Sequence, residues 1–485
     1  MAFSRSTVIK SFLWKLFERV STQLIQFIVT IVLARLLLPS EYGTIALIAI
    51  FIQLCDVVVD GGLNTALIQK KDADNTDFST IFFFSVGIAW VLYVLLFFSA
   101  PLIALFYEQD ELVPVIRVLS LQLPFNAFNS IQRSYVAKNM LFQKLFYSSF
   151  GAIVLSGTLG IYMAYQEYGV WALVAQSLSC QFFTTLIMWF TIRWRPIFVF
   201  SKERFKSLFS YGWKILGASF ITTLFVNIRK LVIGKFYTPA SLAYYEKGDQ
   251  LPALVMNNIF TSVQTILLPT FSEAQDDRAK VKAMMRRSTK LSCFFIYPLM
   301  AGMIVAAKPL VLFLLTERWI AVVPFVQILC IANFFRPITI SNWEAIKALG
   351  YSGITLKLEI VKKVIDIVIL IVSACIGVYA IAWGCVFFNL ICVFINIAPN
   401  KRLLNYGISE QAKDAVPTLL ISIMMGLSIY WIQFLAIPNL MILLLQFILG
   451  VVVYILLSRL FREDSFIYIS QLVKDNRYKL HRKTE

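Results

Sequence analysis

The sequence predicts an all-α polytopic membrane protein of about fourteen transmembrane helices. Its 485 residues are 59% hydrophobic and only 15% charged, against about 45–50% and about 25% in soluble domains. The mean hydropathy is +0.76. Apolar stretches of span length, about 20 residues each, follow one another with short breaks. Together these observations exclude a secreted, nuclear or cytosolic protein. The first apolar stretch runs to Leu38 and many others follow it, so it reads as a span and not as a cleaved leader.

The elements follow from hydrophobic runs and their punctuation. In the first half, helices are expected at 14–37, 44–67, 79–105, 112–137, 145–165 and 169–192. In the second half they are expected at 208–234, 242–269, 289–315, 321–346, 356–375 and 378–398, with two more at 415–436 and 440–460. Breaks carry Pro, Gly or charge: Pro39-Ser40-Glu41-Tyr42-Gly43, Tyr107-Glu108-Gln109-Asp110, Tyr237-Thr238-Pro239 and Ile437-Pro438-Asn439. Such residues stop regular periodicity because they favour turns or lack a backbone donor. The seven cysteines fall in apolar stretches without metal-ligand or redox spacing and read as small core residues.

The net charge of +17 is first a topology signal, because Lys and Arg stay on the cytoplasmic side of a membrane. With the N-terminus inside, the basic runs Arg193–Lys206, Arg278–Lys290 and Arg459–Lys483 all fall inside, and Glu108, Asp110 and Glu111 fall outside. Both termini are therefore expected to be cytoplasmic. The basic runs sit beside span ends, where anionic lipid accounts for them better than nucleic acid does. The single histidine, His481, lies near the C-terminus, which excludes an intramembrane His site for catalysis or metal.

Three weak internal matches recur in order. Ala34–Pro39 pairs with Gly234–Pro239, Pro114–Leu119 with Pro324–Leu329, and Gly169–Leu173 with Gly377–Ile381, at offsets of 200, 210 and 208. They imply two six-helix bundles, at 1–200 and 201–400, then two extra transmembrane helices at 401–462 and a basic cytoplasmic tail at 463–485. An even helix number makes the repeat parallel, an arrangement found in transporters with a site between the halves.

The segments Ala34–Gly43, Gly61–Lys71, Ser210–Gly217 and Leu231–Phe236 resemble the polysaccharide exporters. They are similar to the colanic acid and teichuronic acid exporters, the Wzx-like branch of the multidrug/oligosaccharidyl-lipid/polysaccharide (MOP) flippase superfamily. Ala243 stands where the second half would repeat Gly43. The resemblance implies twelve core helices in two V-shaped bundles and a central cavity lined by the first, second, seventh and eighth helices. It also implies alternating access that moves oligosaccharide linked to undecaprenyl diphosphate across the bacterial cytoplasmic membrane. The implied partners are that substrate, membrane lipids, and the polymerase and glycosyltransferases of surface polysaccharide synthesis. No cofactor is implied.

Charges within spans cost about 2.5–3.5 kcal/mol each and usually face a cavity or a partner. In the first helix Arg19, Gln23 and Gln26 step by four and three and share a face. Arg19 either lines a cavity or snorkels to the interface. In the second helix Gln53, Asp56 and Asp60 repeat in the same way; Asp56 either binds a coupling ion or pairs with a buried Arg. Arg229 and Lys230 are adjacent in the seventh helix and point about 100° apart. Glu246 and Gln250 share a face at the start of the eighth. Arg336 stands beside Pro337 in the tenth, at a hinge or in a structural ion pair. Lys362, Lys363 and Asp366 read as a structural pair within the eleventh helix. The candidate substrate-binding residues are thus Arg19, Gln23, Gln26, Arg229, Lys230 and Arg336. The candidate ion-coupling residues are Asp56, Asp60 and Glu246.

Cations suit a diphosphate cargo, because Arg stays charged when buried and offers a bidentate fork. No Gly-x-x-x-x-Gly-Lys-Ser/Thr loop is present, so a gradient or the membrane potential would drive transport. A non-enzymatic flippase is the leading expectation. A cation-coupled multidrug antiporter is the alternative, and the basic excess within spans speaks against it. A membrane glycosyltransferase or polymerase would need a sizeable external loop, and the external connections are short.

Overall fold

The computed structural model describes residues 5–471. Among them it is all-α, and it divides into two compact units, Met1–Ala243 and Tyr244–Glu485. The tail beyond 471, with His481, lies outside the described residues. The repeat inferred at 200 concerns sequence similarity; compactness instead groups the seventh helix with the first unit.

The first unit contains α1 (Arg5–Leu36), α2 (Pro39–Asp60), α3 (Leu63–Gln69), α4 (Asn75–Tyr107), α5 (Leu112–Leu119), α6 (Gln122–Lys138), α7 (Phe142–Tyr165), α8 (Val170–Thr191) and α9 (Lys202–Phe236). α10 (Pro239–Glu273) begins there and continues into the second unit. The second unit continues with α11 (Arg278–Leu314), α12 (Val322–Asn333), α13 (Arg336–Ala348), α14 (Ser352–Ala374), α15 (Val378–Leu404), α16 (Ile408–Tyr430) and α17 (Asn439–Leu460). Eleven helical stretches among the described residues are long and apolar enough to cross a membrane. Large apolar side chains stay exposed along them, such as Phe98 at 72% and Phe447 at 68%, as a lipid-facing surface requires.

Three expected spans are interrupted. The fourth breaks into α5 and α6 because Pro124 has no N–H for Ser120 O, which accepts instead from Leu123 N at 3.0 Å. The tenth breaks into α12 and α13 ahead of Pro337, where Phe334 N turns back to Ile331 O at 3.2 Å. The second breaks at Gly61 and Gly62, whose φ angles of +55° and +67° lie in the left-handed region that glycine enters without cost.

That last break lets two backbones meet. A Cβ on Gly62 would stand 2.4 Å from Gly212 O of α9, and one on Gly43 would stand 1.8 Å from Pro239 O. Glycine is thus required toward both ends of α2. Ala243, the departure from the repeated glycine, is 1% exposed, so a methyl group is accommodated there.

Charges tie the helix ends of the first unit. Asp74 caps α4, accepting from Asp77 N at 3.0 Å, and pairs with Arg204 of α9. The Arg204 guanidinium bonded to Asp74 holds that carboxyl down at about 2. Asp77, fully buried, accepts from Lys70 at 2.8 Å. Toward the opposite ends of α4 and α9, Lys235 meets Glu108 at 2.9 Å.

In the second unit α16 docks through buried polar groups. Asn342 Nδ2 donates to Gln411 Oε1 at 2.7 Å, and Asn400 Nδ2 to Asn342 Oδ1 at 2.8 Å. These buried hydrogen bonds fix the register of α13, α15 and α16 against one another, although Asn400 Oδ1 is left without a partner. Of the cysteines, Cys293, Cys330, Cys385 and Cys392 are buried, whereas Cys375 is exposed, contrary to its reading as a core residue.

Candidate functional site

The polar face of α2 is the starting point. Gly61 ends α2 in a left-handed cap, its N–H returning to Val57 O at 3.0 Å. The chain then turns into α3, which carries Asn64 back beside Asp60. On α6, Asn126, Ser130 and Arg133 step by four and three, the same one-face spacing as Gln53, Asp56 and Asp60. The two faces meet. Asn126 Nδ2 donates to Asp56 Oδ2 at 2.8 Å. Ser130 Oγ donates to Asp60 Oδ1 at 2.6 Å, and Asn64 Nδ2 donates to the same oxygen at 2.9 Å. The Asn64 amide also reaches Ser130 Oγ.

These groups line an open cavity of about 440 Å³, together with Lys15 of α1 and Phe142 and Leu145 of α7. Arg133 lines it too, and its charge acts on both carboxylates. Asp56 Oδ1 is buried without a hydrogen-bond partner. A buried carboxylate oxygen without a donor is costly, and a proton or a small cation would satisfy it. The cavity therefore gathers two carboxylates, the Arg133 guanidinium and the Lys15 ammonium. Arg133 and an incoming cation would both be drawn to this pair of carboxylates. Exchange of that kind can couple occupancy to helix position without making or breaking a bond.

The expected site residues distribute unevenly. Asp56 and Asp60 are brought together. Arg19, Gln23 and Gln26 lie on the exposed surface of α1 and do not line the cavity; Lys15, one turn before Arg19, does. Arg229 and Lys230 are half-buried on α9. One turn away, Asn227 Nδ2 donates to Gln53 Oε1 of α2 at 3.2 Å. A separate groove of about 480 Å³ runs along α9 past Lys214, Ser219, Thr222 and Thr223.

Glu246 and Arg336 belong to the second unit. Glu246 is half-buried beside Lys247, on which its charge acts; Lys247 donates to Gln250 Oε1 at 3.3 Å. Arg336 opens α13 at the helix break, donating to Asn333 Oδ1 at 3.4 Å and interacting with the charge of Asp249. Lys362 pairs with Glu359 one turn before it, at 2.8 Å. Sequence reasoning passed over Asn64, Asn126, Ser130, Arg133 and Lys15. The four-and-three spacing on α6 was a usable signal for three of them.

The model of a family described as "Polysaccharide biosynthesis protein" matches residues 32–324, which include every cavity residue named above except Lys15. The chain is similar to the teichuronic acid biosynthesis protein TuaB of Bacillus subtilis (strain 168), 27% identical over 61% of each chain. It is also similar to the succinoglycan biosynthesis transport protein ExoT of Rhizobium meliloti (strain 1021), 22% identical over 67% of this chain and 66% of the relative. The chain thus spans less than two thirds of the length of these curated relatives. Among solved structures, the lipid II flippase MurJ in an inward closed conformation superposes with a TM-score of 0.72, covering 94% of this chain and 99% of that one at 17% identity. That likeness shows a shared fold.

Proposed function

The chain belongs to the polysaccharide biosynthesis protein family, and from that membership we propose that it is a flippase for lipid-linked oligosaccharide. On this reading it carries an oligosaccharide on undecaprenyl diphosphate across the bacterial cytoplasmic membrane by alternating access, for surface polysaccharide synthesis, and makes or breaks no bond of its cargo. The observation that carries the reading is the family match over 32–324, which spans the charged cavity between α2 and α6. In the proposal Asp56 and Asp60 hold the coupling proton or cation, with Arg133 as their competing partner, and Glu246 serves as a second acidic site. Arg19, Gln23, Gln26, Arg229, Lys230 and Arg336 contact the diphosphate or acidic sugars.

The test separates cargo classes. Membrane-impermeant oxidation of sugars should label lipid-linked oligosaccharide on the outer leaflet of cells that carry the protein and not of cells depleted of it. Efflux of cationic dyes should be the same in both. Dye efflux that falls on depletion, with outer-leaflet sugar intact, would favour the multidrug antiporter. The same assay on Arg19, Arg229 and Arg336 separates substrate contacts from ion pairs. Arg→Ala at a phosphate contact should abolish labelling at normal protein level, and Arg→Lys should retain part of it, since Lys keeps the charge and loses the fork. Breaking a buried pair costs about 3–5 kcal/mol and should lower protein level instead.

We also assign fourteen spans with both termini cytoplasmic, on the charge bias of the loops. Alkaline phosphatase fused after Asp110 should be active and after Glu485 inactive; the reverse pattern would end that topology.

A further inference from the structure

A second charged cavity belongs to the other unit. It measures about 350 Å³ and is lined by Arg286, Arg287, Lys290 and Leu291 of α11 and by Asp464, Ser465 and Tyr468 of the helical segment 464–471. Two of its three cations are already matched. Arg286 makes a bidentate pair with Asp414 of α16, at 2.8 Å through each nitrogen. Lys290 bridges Asp414 at 3.1 Å and Asp464 at 2.6 Å. Tyr406 also donates to Asp414, at 2.7 Å.

The third cation is Arg287. Its guanidinium carbon stands 3.4 Å from the centroid of the Tyr468 ring, and among the described residues no ion pair joins it to a carboxylate. Stacking on a ring leaves the edge of the guanidinium free to donate. A further donor waits beside it: Ser465 is 3% exposed, lines the cavity, and its hydroxyl is buried without a hydrogen-bond partner. Buried hydroxyls are normally satisfied, so an unmet one in a polar cavity points to a missing acceptor.

The surroundings say what carries that acceptor. Arg287, Leu291, Phe295 and Leu299 follow at intervals of four along α11, and Phe295 and Leu299 are 52% and 41% exposed. Leu460 and Phe461, at the end of α17, are also exposed. The cavity thus opens where charged turns give way to lipid-facing surface, the depth of a phospholipid headgroup. Basic pockets between helices at that depth hold anionic headgroups. We propose that this cavity binds the phosphodiester of an anionic phospholipid such as phosphatidylglycerol, held by Arg287 and the Ser465 hydroxyl, with an acyl chain along Leu291, Phe295 and Leu299. A single guanidinium, unpaired among the described residues, matches a phosphodiester better than a lipid diphosphate, which carries more charge. The inference needs only a membrane-embedded chain and does not rest on the flippase reading.

The full chain, purified in detergent, provides the test. Phosphatidylglycerol should raise its melting temperature and phosphatidylcholine should not, because a ligand that binds only the folded state stabilises it. Arg287→Ala should weaken phosphatidylglycerol binding about tenfold or more, and Arg287→Lys should fall between. Ser465→Ala, which removes one hydroxyl and no charge, should weaken it as well and keeps the test open if Arg287→Ala does not accumulate. Lys413→Ala removes an exposed charge of α16 outside the cavity and should bind as the natural chain does. Equal binding by the Arg287 and Ser465 variants would overturn the proposal. So would an equal loss in Lys413→Ala, which would mean diffuse attraction, or displacement of phosphatidylglycerol by an equimolar isoprenyl diphosphate.

Discussion

Asp56→Asn should uncouple transport from its driving gradient while leaving the protein folded and inserted. The asparagine can still accept from Asn126 through its carbonyl, so the 2.8 Å bond between α2 and α6 survives. What changes is the second oxygen. Asp56 Oδ1 is buried without a partner, and the substitution replaces that acceptor by a donor which can hold neither a proton nor a cation. Coupling free energies of about 1–3 kcal/mol correspond to about 5–150-fold effects, and stimulation by a pH or sodium gradient should fall by an amount in that range. Asp60→Asn should do less, because Asp60 is more exposed and its oxygen already accepts from Ser130 and Asn64. The double variant Asp56→Asn with Arg133→Gln separates coupling from simple pairing. If the two charges only neutralise each other, removing both should restore coupled transport. If Asp56 carries the ion, the double variant stays uncoupled. Gradient-driven uptake in reconstituted vesicles measures both, and unchanged ion dependence in Asp56→Asn would make Asp56 structural.

Gly62→Ala should destabilise the protein far more than Gly61→Ala, although the two glycines are neighbours in the same turn. Both have positive φ, +55° at Gly61 and +67° at Gly62, and an L-residue there costs roughly 1–2 kcal/mol. Only the Gly62 Cβ would run into another helix. It would stand 2.4 Å from Gly212 O and 2.8 Å from Ile215 Cβ, whereas that of Gly61 meets Leu63 side-chain carbons at 3.4 Å and Val58 O at 3.5 Å, ordinary van der Waals contacts. Overpacking adds about 1–3 kcal/mol, and a carbonyl on a helix yields less readily than a side chain. Thermal unfolding in detergent should therefore show a modest loss for Gly61→Ala and a loss two to three times as large, by roughly that sum, for Gly62→Ala. Equal losses would mean that α9 moves aside freely and that the α2–α9 seam is not held by this contact.

Much of the architecture was legible along the chain because its causes are local. An apolar run of span length crosses lipid as a helix wherever it lies, since every backbone group must be satisfied within the segment. Pro39 and Pro239 open α2 and α10 because proline is compatible with the first helical turn. The breaks at Pro124 and Pro337 were equally local: Pro337 reads as a hinge within one span, whereas an unbroken span is expected across Pro124. In each, hydropathy continues through the interruption while the lost amide donor does not.

The carboxylate cavity was half legible. Spacing alone placed Asp56 and Asp60 on one face of α2. It could not tell whether that face meets lipid, water or protein, and so it left ion site and ion pair open. Asn126 and Ser130 of α6, each 70 residues from its acidic partner, are set there by helix packing. The same holds for Asp414, which accepts from Arg286 across 128 residues; its face of α16 offers no local sign of a partner.

Read along the chain, hydropathy and spacing settle that this is an all-helical membrane protein, roughly where its helices lie, and which polar residues share a helix face. Hydropathy, proline and glycine act within a few residues, so their consequences can be read in order. Which faces meet is settled by packing alone: α2 with α6 around Asp56, Asp60 and Arg133, α2 with α9 at Gly62, and α11 with the segment beyond α17 at Arg287–Tyr468 and Lys290–Asp464. A charge buried in an apolar medium is tolerated only where another element supplies its partner, and that supply is a property of packing, not of the chain's local order.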